Sequence, residues 1–172
     1  MEIPKLDRDH GQSAADGDLR GPVLAPAGTA IDSLFVHRRR LTFGDTDAAR
    51  IVYTPRAVHF AVEAVEAWLL ERMGISWLHL VRDEQMGTPC VHAEVDFISP
   101  MVPPDFLHTE VLLTAAGRSS LTFRRAGRIE ERLCWRGNFV FAFYSQATGR
   151  AAPIPEQYRT AITRELAIGA TT

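Results

Sequence analysis

The sequence has no apolar run approaching the roughly 20 residues that a membrane-spanning helix requires. It has only two cysteines, Cys90 and Cys134, in 172 residues. They stand 44 positions apart and form no CxxC pair, which fits reduced thiols in a cytoplasmic protein. An excess of positive charge is also lacking: 19 Lys and Arg face 21 Asp and Glu, a formal charge of -2. No global field therefore exists to hold nucleic acid or an anionic membrane, although a local basic patch can still bind a small phosphate ligand. The histidines show no HxxxH spacing, so no metal site is expected. The opening residues Met1 to Lys5 lack the basic start and apolar core of a signal peptide, so a cytoplasmic location is expected.

What is present is the balance of an ordinary globular protein: 46% hydrophobic and 23% charged residues. The length suits one domain with a real core. Residues 1–33 read differently. They hold four Gly, three Pro and no aromatic residue, with six acidic side chains against three basic. Such a segment buries too little apolar surface to offset its ordering entropy, so 1–33 is expected as a flexible extension and 34–172 as the domain.

Alternation from Phe35 to Phe43 predicts an amphipathic strand, broken by Gly44-Asp45-Thr46-Asp47. Thr54 as N-cap and Pro55 at the first helical position open a long helix that Gly74 closes. Val58, Val62, Val65, Leu69 and Met73, widened by Ala61 and Trp68, form its predicted core stripe. Ser76 to Glu84 suggests a shorter helix. After Gly87 the period becomes two. Strands are predicted at Val91–Phe97, Phe106–Ala115, Ser119–Arg125 and Leu133–Ser145, with Gly127 to Glu131 as a polar connection. The last strand is apolar on both faces, which suggests a central position. A terminal helix is predicted from Pro155 to Leu166. One long apolar helix followed by an antiparallel run must lie across one sheet face, an α+β fold with a curved antiparallel sheet of about five strands.

The densest chemistry lies in Phe43-Gly44-Asp45-Thr46-Asp47-Ala48-Ala49-Arg50-Ile51-Val52-Tyr53-Thr54-Pro55. Two carboxylates stand in a loop that leads into a helix N-terminus, where unpaired N–H groups and the helix dipole can polarise a carbonyl oxygen. A carboxylate beside it can attack the carbonyl carbon or take a proton from attacking water. These parts suit acyl transfer from an ester or thioester. A turn-and-capping role for Asp-Thr-Asp is the plain alternative.

Gly44-Asp45-Thr46-Asp47, Ile51-Val52-Tyr53 with Pro55, Val91 to Pro100, and Gly117-Arg118-Ser119-Ser120 together resemble the 4-hydroxybenzoyl-CoA thioesterase group of the hotdog-fold superfamily. The resemblance covers roughly residues 35–160. It implies a hotdog fold, with the sheet wrapped around the long helix, and an acyl-CoA thioesterase that needs no cofactor beyond its CoA substrate. It assigns the catalytic carboxylate to Asp47, as nucleophile or general base, and the carbonyl-polarising backbone N–H to Thr54. Asp45 is then a loop-structuring residue, and Tyr53 lines the acyl pocket. Arg118, with Ser119 and Ser120, meets the CoA phosphates, and Arg124, Arg125 and Arg128 are nearby candidates for the same task. Phe60 and Trp77 join Tyr53 as walls for an apolar acyl group, aromatic by preference.

The sequence departs from the family pattern in places. The Gly usual three residues after the catalytic Asp is Arg50, a cation that can reach the acyl site or the CoA. Pro104-Asp105 replaces a common Gly-Asp before a strand. Another hotdog branch uses a helix carboxylate, which makes Glu63, on a stripe with His59 and Glu66, the reserve catalyst. The resemblance further implies a homodimer at least, and a homotetramer in the fuller expectation, with the pocket at the seam. Release of acyl groups from acyl carrier protein and non-catalytic acyl-CoA binding are the alternative functions.

Overall fold

The computed structural model describes residues 34–171, and the expected 1–33 extension lies outside the described residues. The first strand, β1 (Phe35–Arg40), runs through a 3-10 turn at Phe43–Asp45 to the long helix α1 (Thr54–Met73). A short helix α2 (Trp77–Arg82) and a two-residue strand β2 (Met86–Gly87) follow. Four long strands come next: β3 (Cys90–Phe97), β4 (Phe106–Ala116), β5 (Ser120–Ile129) and β6 (Arg132–Ala142). The chain ends with β7 (Tyr144–Ser145), β8 (Arg150–Ala151) and α3 (Arg159–Thr171). The main sheet is antiparallel with the order β1-β4-β5-β6-β3, and α1 packs on one face of it. This is the α+β hotdog architecture that the sequence predicts.

The core lies between α1 and the sheet. Trp68 meets Phe123 edge-on at 5.0 Å, and Phe123 meets Phe141 at 5.9 Å. The buried stripe of α1 is Ala57, Phe60, Ala61, Ala64, Val65, Trp68 and Leu69. It is rotated from the predicted stripe, because Val58, Val62 and Met73 are only partly buried. The small Ala57, Ala61 and Ala64 are buried instead, where they let the helix approach the aromatic residues of the sheet.

Four other boundaries differ from expectation. Tyr53, with extended backbone (φ -60, ψ 126), is the N-cap of α1, and Thr54 is its first helical residue. β1 stops at Arg40, and Phe43 is 90% exposed instead of continuing the alternation inward. β5 continues through Gly127 to Ile129, so most of the expected polar connection is strand. Gly127 is there for close packing: a Cβ would come within 2.0 Å of Trp135 Nε1. The turn itself falls at Glu130, whose φ is 52. The predicted fifth strand breaks after Ala142, and Tyr144–Ser145 joins a small separate sheet of order β2-β7-β8.

β6 is an inner strand, as its apolar faces suggest. β3 closes one side of the sheet as an edge strand. Val91, at 59% exposure, and Phe97, at 50%, lie on it, with Ile98, also 50% exposed, just beyond its end. At the other side, β1 pairs only with Phe106 to Val111 of β4. The C-terminal helix α3 covers the remainder, with Gly169 against the Leu113 carbonyl.

Candidate active site

The loop between β1 and α1 is built around one buried carboxylate. Asp45 has no exposed surface. Its Oδ2 accepts the Thr42 N–H and the Thr42 hydroxyl, both at 2.9 Å. Its Oδ1 accepts Arg56 at 2.6 Å and Arg39 at 3.3 Å. Burial by itself raises its pKa, but the Thr42 donors and the two guanidinium groups outweigh burial and hold the carboxyl at about 2. Arg56 lies in the first turn of α1, so this ion pair fixes the loop to the helix start. The Asp45 carbonyl also accepts the Tyr53 N–H at 2.9 Å. Arg39 continues the network, donating to Glu63 at 2.7 Å while its guanidinium lies 4.1 Å from the Phe60 ring centre.

Asp47 has the opposite environment. It is exposed, and among the described residues its Oδ1 accepts the Ala49 N–H alone, at 2.8 Å. Its amide donates to Ile51 O, and the Arg50 amide donates back to Asp47 O, closing a tight hairpin braced by a Thr46–Val52 bridge. Arg50 makes the turn possible with φ 62, the left-handed conformation that favours glycine. Arg50 thus takes a left-handed position where the resembled pattern has Gly, at the cost of some backbone strain.

The hairpin leads to the first turn of α1, whose leading N–H groups have no intrahelical acceptor. The Thr54 N–H has no partner among the described residues, whereas the Arg56 and Ala57 N–H groups bond to Tyr53 O. Thr54 lines an open, mostly apolar cleft of about 270 Å³ with Ile51, Val52, Ala57 and the segment Phe97 to Met101. The Val52 N–H to Met101 O bond, 2.9 Å, holds the two walls together. Arg132 fixes the far wall by donating to Pro100 O at 2.5 Å and Ser99 Oγ at 3.2 Å.

The other expected site residues are dispersed. Tyr53 is half exposed and Arg50 is exposed, both on the Asp47 loop. Phe60 is buried in the core beneath Arg39 and lines no cleft described here. Glu63 is occupied by Arg39 and by His37 Nε2 at 3.3 Å. Trp77 lines a second cleft on β3's other end, about 390 Å³, with Val62, Thr88, Cys90, Phe141 and Tyr144. Arg118, Ser119 and Ser120 lie at the β4–β5 turn. That turn is a full strand length, about 30 Å, from the Asp47 loop within one chain. Arg128 is paired with Glu110 at 3.0 Å, and Arg125 is buried, so neither is a free surface cation. Among the described residues, no group of three or more His, Cys, Asp or Glu side chains is placed to hold a metal ion.

Sequence reasoning missed Arg39 and Arg56 as the partners of Asp45. It also missed the inward placement of Arg125. The second was legible: Leu121, Phe123 and Arg125 share one strand parity, and the first two are core residues.

Comparison with known proteins places this geometry. The model of the thioesterase-like superfamily matches residues 41–162. A 1,4-dihydroxy-2-naphthoyl-CoA hydrolase of Synechococcus elongatus is 38% identical over 127 residues, covering 70% of this chain and 88% of that protein. One of the same name from Picosynechococcus is 34% identical over 77 residues, 45% of this chain, so the matched part spans about half, 52%, of that relative. A solved thioesterase-superfamily structure from Jannaschia has a TM-score of 0.73 at 36% identity, covering 84% of this chain and 99% of its own. The match is to the superfamily, and the curated relatives carry a naphthoyl-CoA name instead of the 4-hydroxybenzoyl-CoA name that the motifs resemble. With the β1–α1 loop, α1 and strands β3 to β6 all inside the matched span, this chain belongs to the thioesterase-like superfamily.

Proposed function

We propose that this protein hydrolyses an acyl-CoA thioester, with an aromatic acyl group, to the free acid and CoA. One observation carries the reading. An exposed carboxylate, Asp47, stands on the loop that leads into a helix N–H without a partner among the described residues, that of Thr54, and Thr54 opens onto an apolar cleft. The Thr54 N–H donates to the thioester oxygen and stabilises the negative charge that develops there. The Asp47 carboxylate attacks the carbonyl carbon, or removes a proton from the water that does. Collapse of the tetrahedral intermediate expels CoA as its thiolate, which takes up the proton released from water; on the nucleophilic route the collapse leaves the acyl group on Asp47 as an anhydride, which water then hydrolyses to the free acid and the regenerated carboxylate. The aromatic preference draws on the apolar lining of the cleft and on the substrate in the relatives' names.

The acting species in this reading is a homodimer at least, with a dimer of dimers as its fuller form. β3 is an exposed edge with apolar residues along it, and an unpaired edge invites a second strand. A second copy paired antiparallel across β3 by a two-fold axis satisfies that edge. It also sets the partner's Cys90 end beside this chain's Phe97 end. The turn carrying Arg118, Ser119 and Ser120 of the partner subunit then lies on the same side of the seam as the Asp47 loop, which suits it to the CoA phosphates. A hydrolysis screen over aromatic and aliphatic acyl-CoAs tests the reading. Turnover with release of CoA thiol is expected, fastest on aromatic esters. Retention of intact ester at stoichiometric protein overturns it.

A further inference from the structure

The start of α1 breaks two ordinary rules of helix ends. Its N-cap, Tyr53, makes no side-chain bond to the leading amides, and its first turn holds no Asp or Glu. The first turn holds a cation instead, Arg56, at the end of a helix where the dipole disfavours positive charge. A Ser, Thr, Asp or Asn cap would set an acceptor oxygen against this turn, where the proposed reaction needs the Thr54 N–H for the thioester. The order that a cap would supply therefore has to come from outside the helix.

It comes from Asp45, which holds the helix start twice. Its buried carboxylate accepts Arg56 Nη2 at 2.6 Å, and its carbonyl accepts the Tyr53 N–H at 2.9 Å. The same carboxylate is anchored to the end of β1 by Thr42 and Arg39, and Arg39 reaches Glu63 two turns further along α1. Phe60, expected as a wall of the acyl pocket, is the platform for both cations. The Arg39 and Arg56 guanidinium carbons lie 4.1 and 5.6 Å from its ring centre. A charged hydrogen bond to a buried carboxylate outweighs the unfavourable dipole term, which accounts for a cation at this end of the helix.

We infer that Arg56 is a positioning residue: bound to Asp45, it replaces the helix cap and fixes the Thr54 N–H relative to the Asp47 carboxylate. This rests on the thioesterase reading above. Asp45 directly precedes Thr46, whose bridge to Val52 opens the Asp47 hairpin. One residue therefore governs both reacting groups, the hairpin through its own backbone and the helix start through Arg56 and Tyr53. Removing the Arg56 side chain leaves both reacting groups present and loosens only their separation. The transition state depends on that separation, whereas the bound ester tolerates its loss, so the cost falls on kcat.

The test is steady-state hydrolysis of 4-hydroxybenzoyl-CoA, with backbone amide exchange followed by NMR on the same proteins. Arg56→Ala is expected to lower kcat by about 10- to 100-fold with KM unchanged, the range for a small misplacement of reacting groups. Arg56→Lys, which keeps a charged donor, restores part of kcat. The Tyr53 N–H exchanges faster in Arg56→Ala, while the Trp68 N–H in the buried middle of α1 does not. Ile162→Ala, buried on α3, lowers Tm and leaves kcat unchanged, which separates positioning from lost stability. In an Asp45→Asn background Arg56→Ala costs little more, because the shared bond is already weakened. If Arg56→Ala does not fold, Arg56→Gln carries the same comparisons. A raised KM at unchanged kcat, or an equal loss in the native and Asp45→Asn backgrounds, overturns the inference. If the native protein releases no CoA while Tyr53 exchange still depends on Arg56, the thioesterase reading falls and the replacement cap stands.

Discussion

Asp45 and Asp47 stand two positions apart in one loop, yet the first is wholly buried against Arg39 and Arg56 while the second faces solvent and accepts the Ala49 amide. In an unbroken strand residues two apart share a face, but here the 3-10 turn Phe43–Asp45 ends between them, so Asp45 turns inward to the guanidinium groups while Asp47 belongs to the hairpin beyond. The free one carries the first prediction. Asp47→Asn lowers kcat by roughly 10²- to 10⁴-fold with the fold intact, the range for removing a positioned base or nucleophile. Glu63→Gln, which weakens a pair with Arg39 instead, costs about tenfold or less. Steady-state kinetics and circular dichroism on both variants check this, and the reverse order of effects moves the catalyst to the helix.

Asp45 governs stability against acid. Its folded-state pKa of about 2 lies below the ordinary 3.8, so the ionised form stabilises the fold. That contribution, about 2 kcal/mol, is complete above about pH 4 and is lost as pH falls toward 2. Asp45→Asn leaves Arg39 and Arg56 without their shared counter-charge and lowers stability by about 1–3 kcal/mol at pH 7. Urea melts of both proteins between pH 2 and 7 should converge at the acid end.

Arg50 carries left-handed strain, with φ 62. Arg50→Gly relieves it and raises stability by up to about 1 kcal/mol. If the guanidinium also meets substrate, the same variant raises KM for the CoA ester. Thermal melting and initial rates separate the two effects, and a lower Tm contradicts the strain argument.

Arg118→Ala should raise KM with little change in kcat, the signature of lost uniform binding. Adding salt should shrink the penalty, because exposed charge pairs are screened. Since the Arg118 turn and the Asp47 loop lie at opposite ends of one sheet, mixed dimers of Arg118→Ala with Asp47→Asn offer a sharper measurement. With the proposed shared site, such a dimer holds one site with both substitutions and one with neither, so activity is expected to return on mixing.

The β3 edge makes the assembly testable. Val91→Arg places a charge at an exposed position of that strand and, on the proposed dimer, should leave a monomer with activity lost. Sedimentation at assay concentration decides it: a native species of about 19 kDa with full activity contradicts the shared site.

The sequence by itself determined the order of elements, the long helix and its Gly74 stop, and the paired carboxylates before a helix start. Those features are written in local chemistry: period, caps and turn residues. Strand parity with Leu121 and Phe123 held the inward placement of Arg125, but its charge led to its being read as a surface cation for the CoA phosphates. Only the tertiary structure decided which side of α1 is buried, because that depends on where the sheet's large aromatics lie. It also decided that Arg39 and Arg56 converge on Asp45, and that β3 is an edge. Each is a relation between segments distant in sequence, set by strand order and packing, which no local pattern records.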